Sequence, residues 1–285
     1  MRDTTAPVAK RQSHANGHEH TVAAPGGRSP VNGWEPAHPR ISVIVPALNE
    51  EKLIARTLDC FPRELRERHN IELIVSDGGS RDRTIEIATE HADVVVRHTE
   101  QRRQTIAEGR NRGAEHATGD LLVFINADTI PRDPARFMQA LMAISEKGIG
   151  EAGTRLVAYA CPVQVGPEER RPSDVLFHGF FNNYVRLLNS IGLGMGRGEC
   201  QVVWSTPFRR AGGYNNQMTA GEDFDLFKRL TGHGAIGHSW DLCVYESPRR
   251  FRRYGYLRVL AEWTANALAV IFLRRSISKE WEEVR

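Results

Sequence analysis

Cysteine is scarce in this 285-residue chain: only Cys60, Cys161, Cys200 and Cys243 occur. None forms a C-x-x-C pair, which argues against a zinc ribbon. Four so widely spaced do not make a disulfide scaffold, so a reducing compartment, the cytoplasm, is expected. No uncharged apolar run reaches the roughly 18 residues of a transmembrane helix, and Met1 to Pro39 lacks the apolar core of a secretory signal. Lysine is sparse as well (Lys10, Lys52, Lys147, Lys228 and Lys279), and 38 Lys+Arg against 35 Asp+Glu leaves a net +3. That balance is too weak to argue for nucleic acid. Glycine is missing where a nucleotide fold would need it. After Val45 the chain reads Pro46-Ala-Leu-Asn-Glu50 rather than G-x-G-x-x-G, and G-x-x-x-x-G-K-[ST] occurs nowhere. NAD enzymes and P-loop NTPases are therefore disfavoured.

What is present is ordinary globular material, 40% hydrophobic and 26% charged, which excludes collagen-like, fully disordered and polytopic classes. Residues 1–39 are rich in Ala, Pro, Gly, Ser and His and read as a disordered tail. His14, His18 and His20 lie there with nothing to hold them as metal ligands. From Ile41 the pattern changes. Short β-branched runs at 41–45, 71–75, 94–96 and 121–125 alternate with helical spacing at 50–65, 81–91, 105–116 and 133–147. That alternation predicts an α/β fold with a mostly parallel, doubly wound sheet. Further on, 154–163 and 202–204 read as strands. Segments 174–191, 208–212 and 222–230 read as helices, and 254–281 as one or two more.

Ligands of such sheets bind at the carboxyl ends of strands, here Pro46–Glu50, Asp77–Ser80 and Asn126–Asp128, all polar or acidic. Asp128 suits a hard divalent cation bridging to phosphates, or it caps the turn before Pro131. Asp77 is placed to accept hydrogen bonds from a nucleobase or ribose, or it closes the Gly78-Gly79 turn. The Gly221-Glu-Asp-Phe-Asp225 segment offers a general base, or acids that favour a helix N-terminus. From the residues alone these pairs of readings stay open.

Taken in order, six segments resemble family 2 inverting glycosyltransferases of the GT-A fold: Ser42-Val-Ile-Val-Pro-Ala-Leu-Asn-Glu50, Val75-Ser-Asp-Gly-Gly-Ser-Arg-Asp82, Gly109-Arg-Asn-Arg-Gly-Ala114, Gly119-Asp-Leu-Leu-Val-Phe-Ile-Asn-Ala-Asp-Thr129, Gly212-Gly-Tyr214 and Gly221-Glu-Asp223. The resemblance implies a GT-A domain at 40–250, with a nucleotide-binding half (40–130) and an acceptor half (131–250), and a helical extension at 251–285. It implies that Pro46, Ala47, Asn49, Glu50, Asp77, Gly78 and Arg110 hold a UDP- or GDP-linked sugar. Asn126-Ala127-Asp128 would stand where the family has D-x-D and hold Mg²⁺ or Mn²⁺. Asp223, beside Glu222, would be the base of a single displacement. Asn126 departs from the motif, and the Q-x-x-R-W of processive members is absent. The x-Ala-Asp-Thr ending and the Ser247-Pro-Arg-Arg-Phe251 segment look like a small bacterial subgroup.

Arg249, Arg250, Arg252, Arg253 and Arg258 crowd one segment. They suit donor phosphates (Arg249 and Arg250 above all), an anionic membrane surface, or a solvated face. His238 is either a further metal ligand or a core histidine. The apolar stretch Trp263–Leu273 is about 16 Å of helix, too short to span a bilayer. It would pack on the domain, form a homodimer contact or lie at the inner face of a membrane. Two rivals to a glycosyltransferase remain: a nucleotidyltransferase, and a non-catalytic nucleotide-sugar-binding or membrane-associated protein. The acceptor, whether sugar, lipid or small molecule, is not encoded in any local pattern.

Overall fold

The computed structural model describes residues 21–23, 40–150, 155–218 and 220–273, the side chains of 21–23 and 266–273 excepted. Most of the 1–39 segment with its three histidines, the expected start of the second half at Glu151, and the helix beyond Leu273 lie outside the described residues. Thr21–Ala23 (β1) is an edge strand antiparallel to Val94–Arg97 (β4), a correction to the reading of 1–39 as wholly unstructured. The parallel core is Ile41–Ala47 (β2), Ile71–Asp77 (β3), β4 and Leu121–Ile125 (β5). Strand β3 is fully buried and β2 nearly so, as the β-branched runs require of strands covered on both faces.

The expected helix at 50–65 is instead two short ones, Ile54–Leu58 (α1) and Arg63–Arg68 (α2), because Pro62 interrupts the run. Thr84–His91 (α3) and Ile106–His116 (α4) follow. A capping box starts α4: Thr105 Oγ accepts from the Glu108 amide at 3.2 Å, and the Glu108 carboxylate accepts from the Thr105 amide at 2.9 Å. After β5 come Ile130–Pro131 (β6) and Pro134–Lys147 (α5), capped by Asp133.

The single strand expected at 154–163 is two, Leu156–Ala160 (β7) and Val163–Val165 (β8), in different sheets, with Pro162 at the break. Pro172–Ser190 (α6) is clamped to β8 by Asn182, whose amide bonds both the N–H and the C=O of Val163 (3.0 and 2.9 Å). The rest is Cys200–Trp204 (β9), Ser205–Arg210 (α7), Glu222–Leu230 (α8), Ala235–Gly237 (β10), Val244–Glu246 (β11), Arg249–Tyr254 (α9) and Tyr256–Leu273 (α10). Among the described residues no helix is long and apolar enough to cross a membrane.

The large sheet runs β1-β4-β3-β2-β5-β9-β7-β10, and a small one runs β6-β11-β8. Chain order reverses direction across the sheet between β2 and β5, so a crevice opens at their carboxyl ends. Apolar layers cover both faces: Val43, Val45, Leu73 and Val123 on one side, Ile44, Ile74, Leu122 and Phe124 on the other. Close approach also matters. A Cβ on Gly119 would sit 2.7 Å from the Ser42 amide nitrogen and 2.9 Å from the Arg40 carbonyl. Gly119→Ala must therefore move backbone, and we expect it to cost about 1–3 kcal/mol of stability. A urea unfolding midpoint equal to that of the wild type would refute this packing.

Candidate active site

The strand ends line one cleft of about 540 Å³. Pro46, Ala47, Glu50 and Gly78 contribute from the β2 and β3 ends. Asn126, Ala127 and Asp128 contribute from the β5 end, and Glu222 and Asp223 from the start of α8. Arg110 on α4 and Arg249 and Arg250 on α9 complete this part of the lining. These twelve expected residues therefore meet in one place.

Two others turn away from it. Both Asp77 oxygens are used inside its own loop, accepting from the Gly79 and Ser80 amides at about 3 Å, and the residue is 1% exposed. Its geometry is that of a turn cap. Asn49, held at φ +50°, accepts from the Arg81 amide and donates its own to Ser80 Oγ (both 2.8 Å). Together with the Glu50 amide on Thr84 Oγ1 (2.7 Å), it sews the first loop to the second. His238 is also not among the lining residues. Its ring packs on Trp240, and burial together with nearby Arg186 lowers its pKa. The geometry gives it no metal partner in the cleft.

A buried cation organises the centre. Arg110 donates Nη1 to Glu222 Oε1 at 2.7 Å, and Nη2 to the Gly198 carbonyl at 2.6 Å and to Asn126 Oδ1 at 3.1 Å. Its guanidinium also lies 5.2 Å from the Tyr214 ring centroid. The two adjacent acids consequently differ. Glu222 is committed to Arg110. Among the described residues Asp223 accepts only from the Phe224 amide, and its pKa is pushed up to about 7 by burial and by the Glu222 charge, against the opposing pull of Arg110. A carboxyl poised near neutrality in a cleft has the attributes of a general base.

At the β5 end, Thr57 Oγ1 donates to the carbonyls of Ala127 (2.8 Å) and Thr129 (3.0 Å), fixing the turn that carries Asp128. Asp128 Oδ2 accepts from Arg249 Nη2 at 3.1 Å, and Glu50 lies 4.0 Å from the same nitrogen. The basic segment thus divides. Arg249 faces the cleft, Arg252 pairs with Asp174, and Arg258 pairs with Glu262 on the surface.

Sequence reading missed a second charged cluster. Arg197, 2% exposed, reaches Glu199 (3.2 Å) and Glu246 (3.4 Å), and all three line the cleft. Burial would raise Glu199, but Arg197 holds its pKa below the ordinary value. Burial and the Glu199 charge push Glu246 well above it. Only two cues existed, an arginine inside the 192–198 glycine run and an acid before Ser247-Pro248, and neither is specific. Among the described residues no group of three or more His, Cys, Asp or Glu is arranged to hold a metal by itself.

Known proteins share both the sequence pattern and the fold. A model of the family described as Glycosyl transferase family 2 matches residues 42–196. The PGL/p-HBAD biosynthesis glycosyltransferase of Mycobacterium bovis (strain BCG / Pasteur 1173P2) is 35% identical over 238 residues, 81% of this chain and 69% of that protein. Validoxylamine A glucosyltransferase of Streptomyces hygroscopicus subsp. limoneus is 25% identical over 72% of this chain and 51% of its own length. The chain spans about half of that relative and of its counterpart from a second strain. Among solved structures, the mannosyltransferase PcManGT from Pyrobaculum calidifontis, in complex with GDP-Man and Mn²⁺, superposes with a TM-score of 0.61 at 25% identity, over 83% of this chain and 64% of that one. Glucosyl-3-phosphoglycerate synthase from Mycobacterium tuberculosis shares the fold, with a TM-score of 0.53 at 21% identity over 87% of this chain and 86% of that one.

Removing the central cation tests its role without reference to catalysis. Arg110→Met strands the Glu222 carboxylate, and we expect a loss of about 3–5 kcal/mol in chemical denaturation. The double variant Arg110→Met/Glu222→Gln should recover much of it. Additive losses would show that the two side chains do not act as a pair.

Proposed function

This chain belongs to glycosyl transferase family 2 and has the GT-A fold, and we propose that it transfers a sugar from a nucleoside-diphosphate donor, UDP- or GDP-linked, to an acceptor hydroxyl with inversion. The observation that carries this reading is the Asp223 carboxyl, bonded by the Phe224 amide and by no arginine, in the cleft formed by the ends of β2 and β5. The donor lies along Pro46–Glu50 and Gly78, with its diphosphate toward Asp128, Arg249 and Arg250. Asp223 takes the proton of the acceptor hydroxyl as its oxygen forms the bond to the anomeric carbon. The bond from that carbon to the diphosphate oxygen breaks on the opposite face, so one displacement inverts the centre. The nucleoside diphosphate leaves with the electron pair.

The residues fit a Mg²⁺ or Mn²⁺ ion of the kind held by one carboxylate, substrate phosphates and water. Asp128, partly exposed to the cleft, is that carboxylate, and Asn126 adds little because Arg110 occupies its amide oxygen. When bound, such an ion offsets the charge that grows on the leaving diphosphate. Arg249 then exchanges Asp128 for phosphate oxygens, which suits a forked guanidinium.

The neutral-range carboxyl of Asp223 supports catalysis over a binding-only role. It also fixes the pH behaviour. A base must be ionised, so kcat/KM should climb with pH and level off above about 7. An ordinary carboxyl would level off near 4. Stability should run the other way. The folded pKa lies above the unfolded one, so the contribution present below about 4 is lost as pH rises through about 7. Asp223→Asn should abolish at least about 10²-fold of transfer, retain donor binding and flatten that stability profile. Lost donor binding with residual transfer would sink the base assignment.

The donor reading is tested by thermal stabilisation with a panel of nucleoside diphosphates and their sugars, with Mn²⁺ and with EDTA. Ligand at about 100 times its Kd adds about 2.7 kcal/mol, a plain upward shift in Tm. We expect one nucleotide to stabilise the protein in a metal-dependent manner, and Asp128→Ala to erase the metal dependence. Equal shifts with Mn²⁺ and EDTA in the wild type would remove the metal from the mechanism.

A further inference from the structure

One wall of the cleft takes no part in the chemistry above, and it is apolar. Phe181 from α6 and Trp263 from α10 line it with Met195 and Phe224, the residue next to Asp223. The Phe181 and Trp263 rings are 5.4 Å apart. Arg197 backs both, its guanidinium 4.9 Å from the Phe181 centroid and 5.9 Å from that of Trp263. Since Arg197 is itself gripped by Glu199 and Glu246, the aromatic wall is held in place before any ligand arrives.

The apolar surface does not stop at the cleft. Phe181 packs on Tyr184 (6.0 Å), which stacks on Phe180 (6.2 Å). Phe180 is 61% exposed, and Leu187 and Ile191, 58% and 60% exposed, continue from it. Phe180, Tyr184 and Leu187 follow the helical spacing i, i+4, i+7, so they share one face of α6, and Ile191 follows as its C-cap. The face of α6 that packs inward is a different set, His178, Phe181, Asn182, Val185 and Asn189. A track thus runs from beside Asp223 across a buried aromatic wall and out along an exposed apolar stripe. A wholly hydrophilic acceptor would leave that track facing water. Contiguous exposed apolar surface of this kind marks a binding surface.

We propose that the acceptor is an amphiphile. Its hydroxyl-bearing head lies at Asp223, its apolar body lies against Phe181 and Trp263, and any longer tail follows Phe180, Tyr184 and Leu187 along α6. This deepens the proposed function and rests on Asp223 being the base. The wall selects for chain length rather than for a particular head, because burial of apolar area is non-directional and scales with area.

The probe is a series of methyl, butyl, hexyl and octyl β-D-glucopyranosides, each below its micelle-forming concentration, titrated calorimetrically into the full chain. Full burial of one methylene is worth about fourfold in affinity, so even partial burial on an open track should give at least about tenfold from methyl to octyl. Trp263→Ala should reduce that gain to within about twofold, and Trp263→Phe should restore most of it. Phe180→Ser and Leu187→Ser change only exposed positions, so folding is not at risk. With them the gain should saturate at the shorter chains. Equal affinity along the series overturns the proposal, as does a gain that survives intact in Trp263→Ala. Sedimentation with phosphatidylcholine–phosphatidylglycerol vesicles separates two sources. Binding lost in Phe180→Ser means that the amphiphile is met in a membrane. No vesicle binding, with chain-length dependence intact, means that it is met dispersed. The glucoside titration needs no donor. A nucleotide panel that fails while the series holds would overturn the donor reading and leave the apolar subsite standing.

Discussion

The guanidinium of Arg110 is the interaction on which the rest of the site depends. A cation buried to 1% exposure must find partners for its N–H groups or destabilise the fold. The two Nη groups of Arg110 find them on three separate stretches of chain: the turn after β5 through Asn126, the 194–198 loop through Gly198, and the start of α8 through Glu222, while Nε has no hydrogen-bond partner among the described residues. Each partner lies far from it in sequence, so one side chain ties the first half of the sheet to the second. Its reach depends on α4 lying close to β2. The glycine at 113 permits that approach, since a Cβ there would overlap the Ile44 side chain.

The same cation gives two neighbouring acids different surroundings. Glu222 is committed to Arg110 at 2.7 Å. Asp223 is left half-buried beside a negative charge, without an arginine of its own, and its proton affinity rises. Neither residue type nor spacing distinguishes the two acids. What separates them is that the first residue of α8 points at α4 and the second at the cleft. The cleft lining also holds Glu50, Asp128, Glu199 and Glu246 together with Arg103, Arg197, Arg249 and Arg250, and Arg197 is committed to Glu199 and Glu246. A diphosphate entering such a site requires compensating positive charge. Arg249, at present spent on Asp128, is the local source of it.

Much of the fold was legible in the sequence because buried parallel strands announce themselves. Four β-branched runs bounded by turns were enough to expect the sheet and the crevice at its carboxyl ends. The misses have local causes. Pro62 and Pro162 divided elements that periodicity had joined, since apolar spacing continues across a residue that hydrogen bonding cannot. The pairing of Thr21–Ala23 onto β4 left no trace because three residues are too few to show a period. At the site, twelve expected residues converge on one cleft, yet Asp77 and Asn49 serve the loops that frame it. Motif position says where a side chain starts, whereas hydrogen-bond partners decide where its oxygens point. The Arg197, Glu199 and Glu246 cluster and the aromatic wall in front of it were not legible. Their members come from the loop before β9, from β11, α6 and α10, which only the tertiary fold brings together.

Asn126 looks at first like a defect, since the family motif has an acid in that place. The geometry gives it a reason. Its amide oxygen accepts from the same Arg110 nitrogen that bonds Gly198. A carboxylate at 126 would add a second negative charge within reach of that buried guanidinium. A full ion pair attracts the guanidinium more strongly than an amide dipole does, so Arg110 would be shared between 126 and Glu222. Glu222, less fully compensated, would then weigh more heavily on Asp223 and hold its proton more tightly. The neutral amide keeps the loop bonded without drawing the cation away. On the reading proposed for this chain, Asn126 therefore serves the base at the other end of the arginine, while Asp128 alone carries the negative charge that the metal needs.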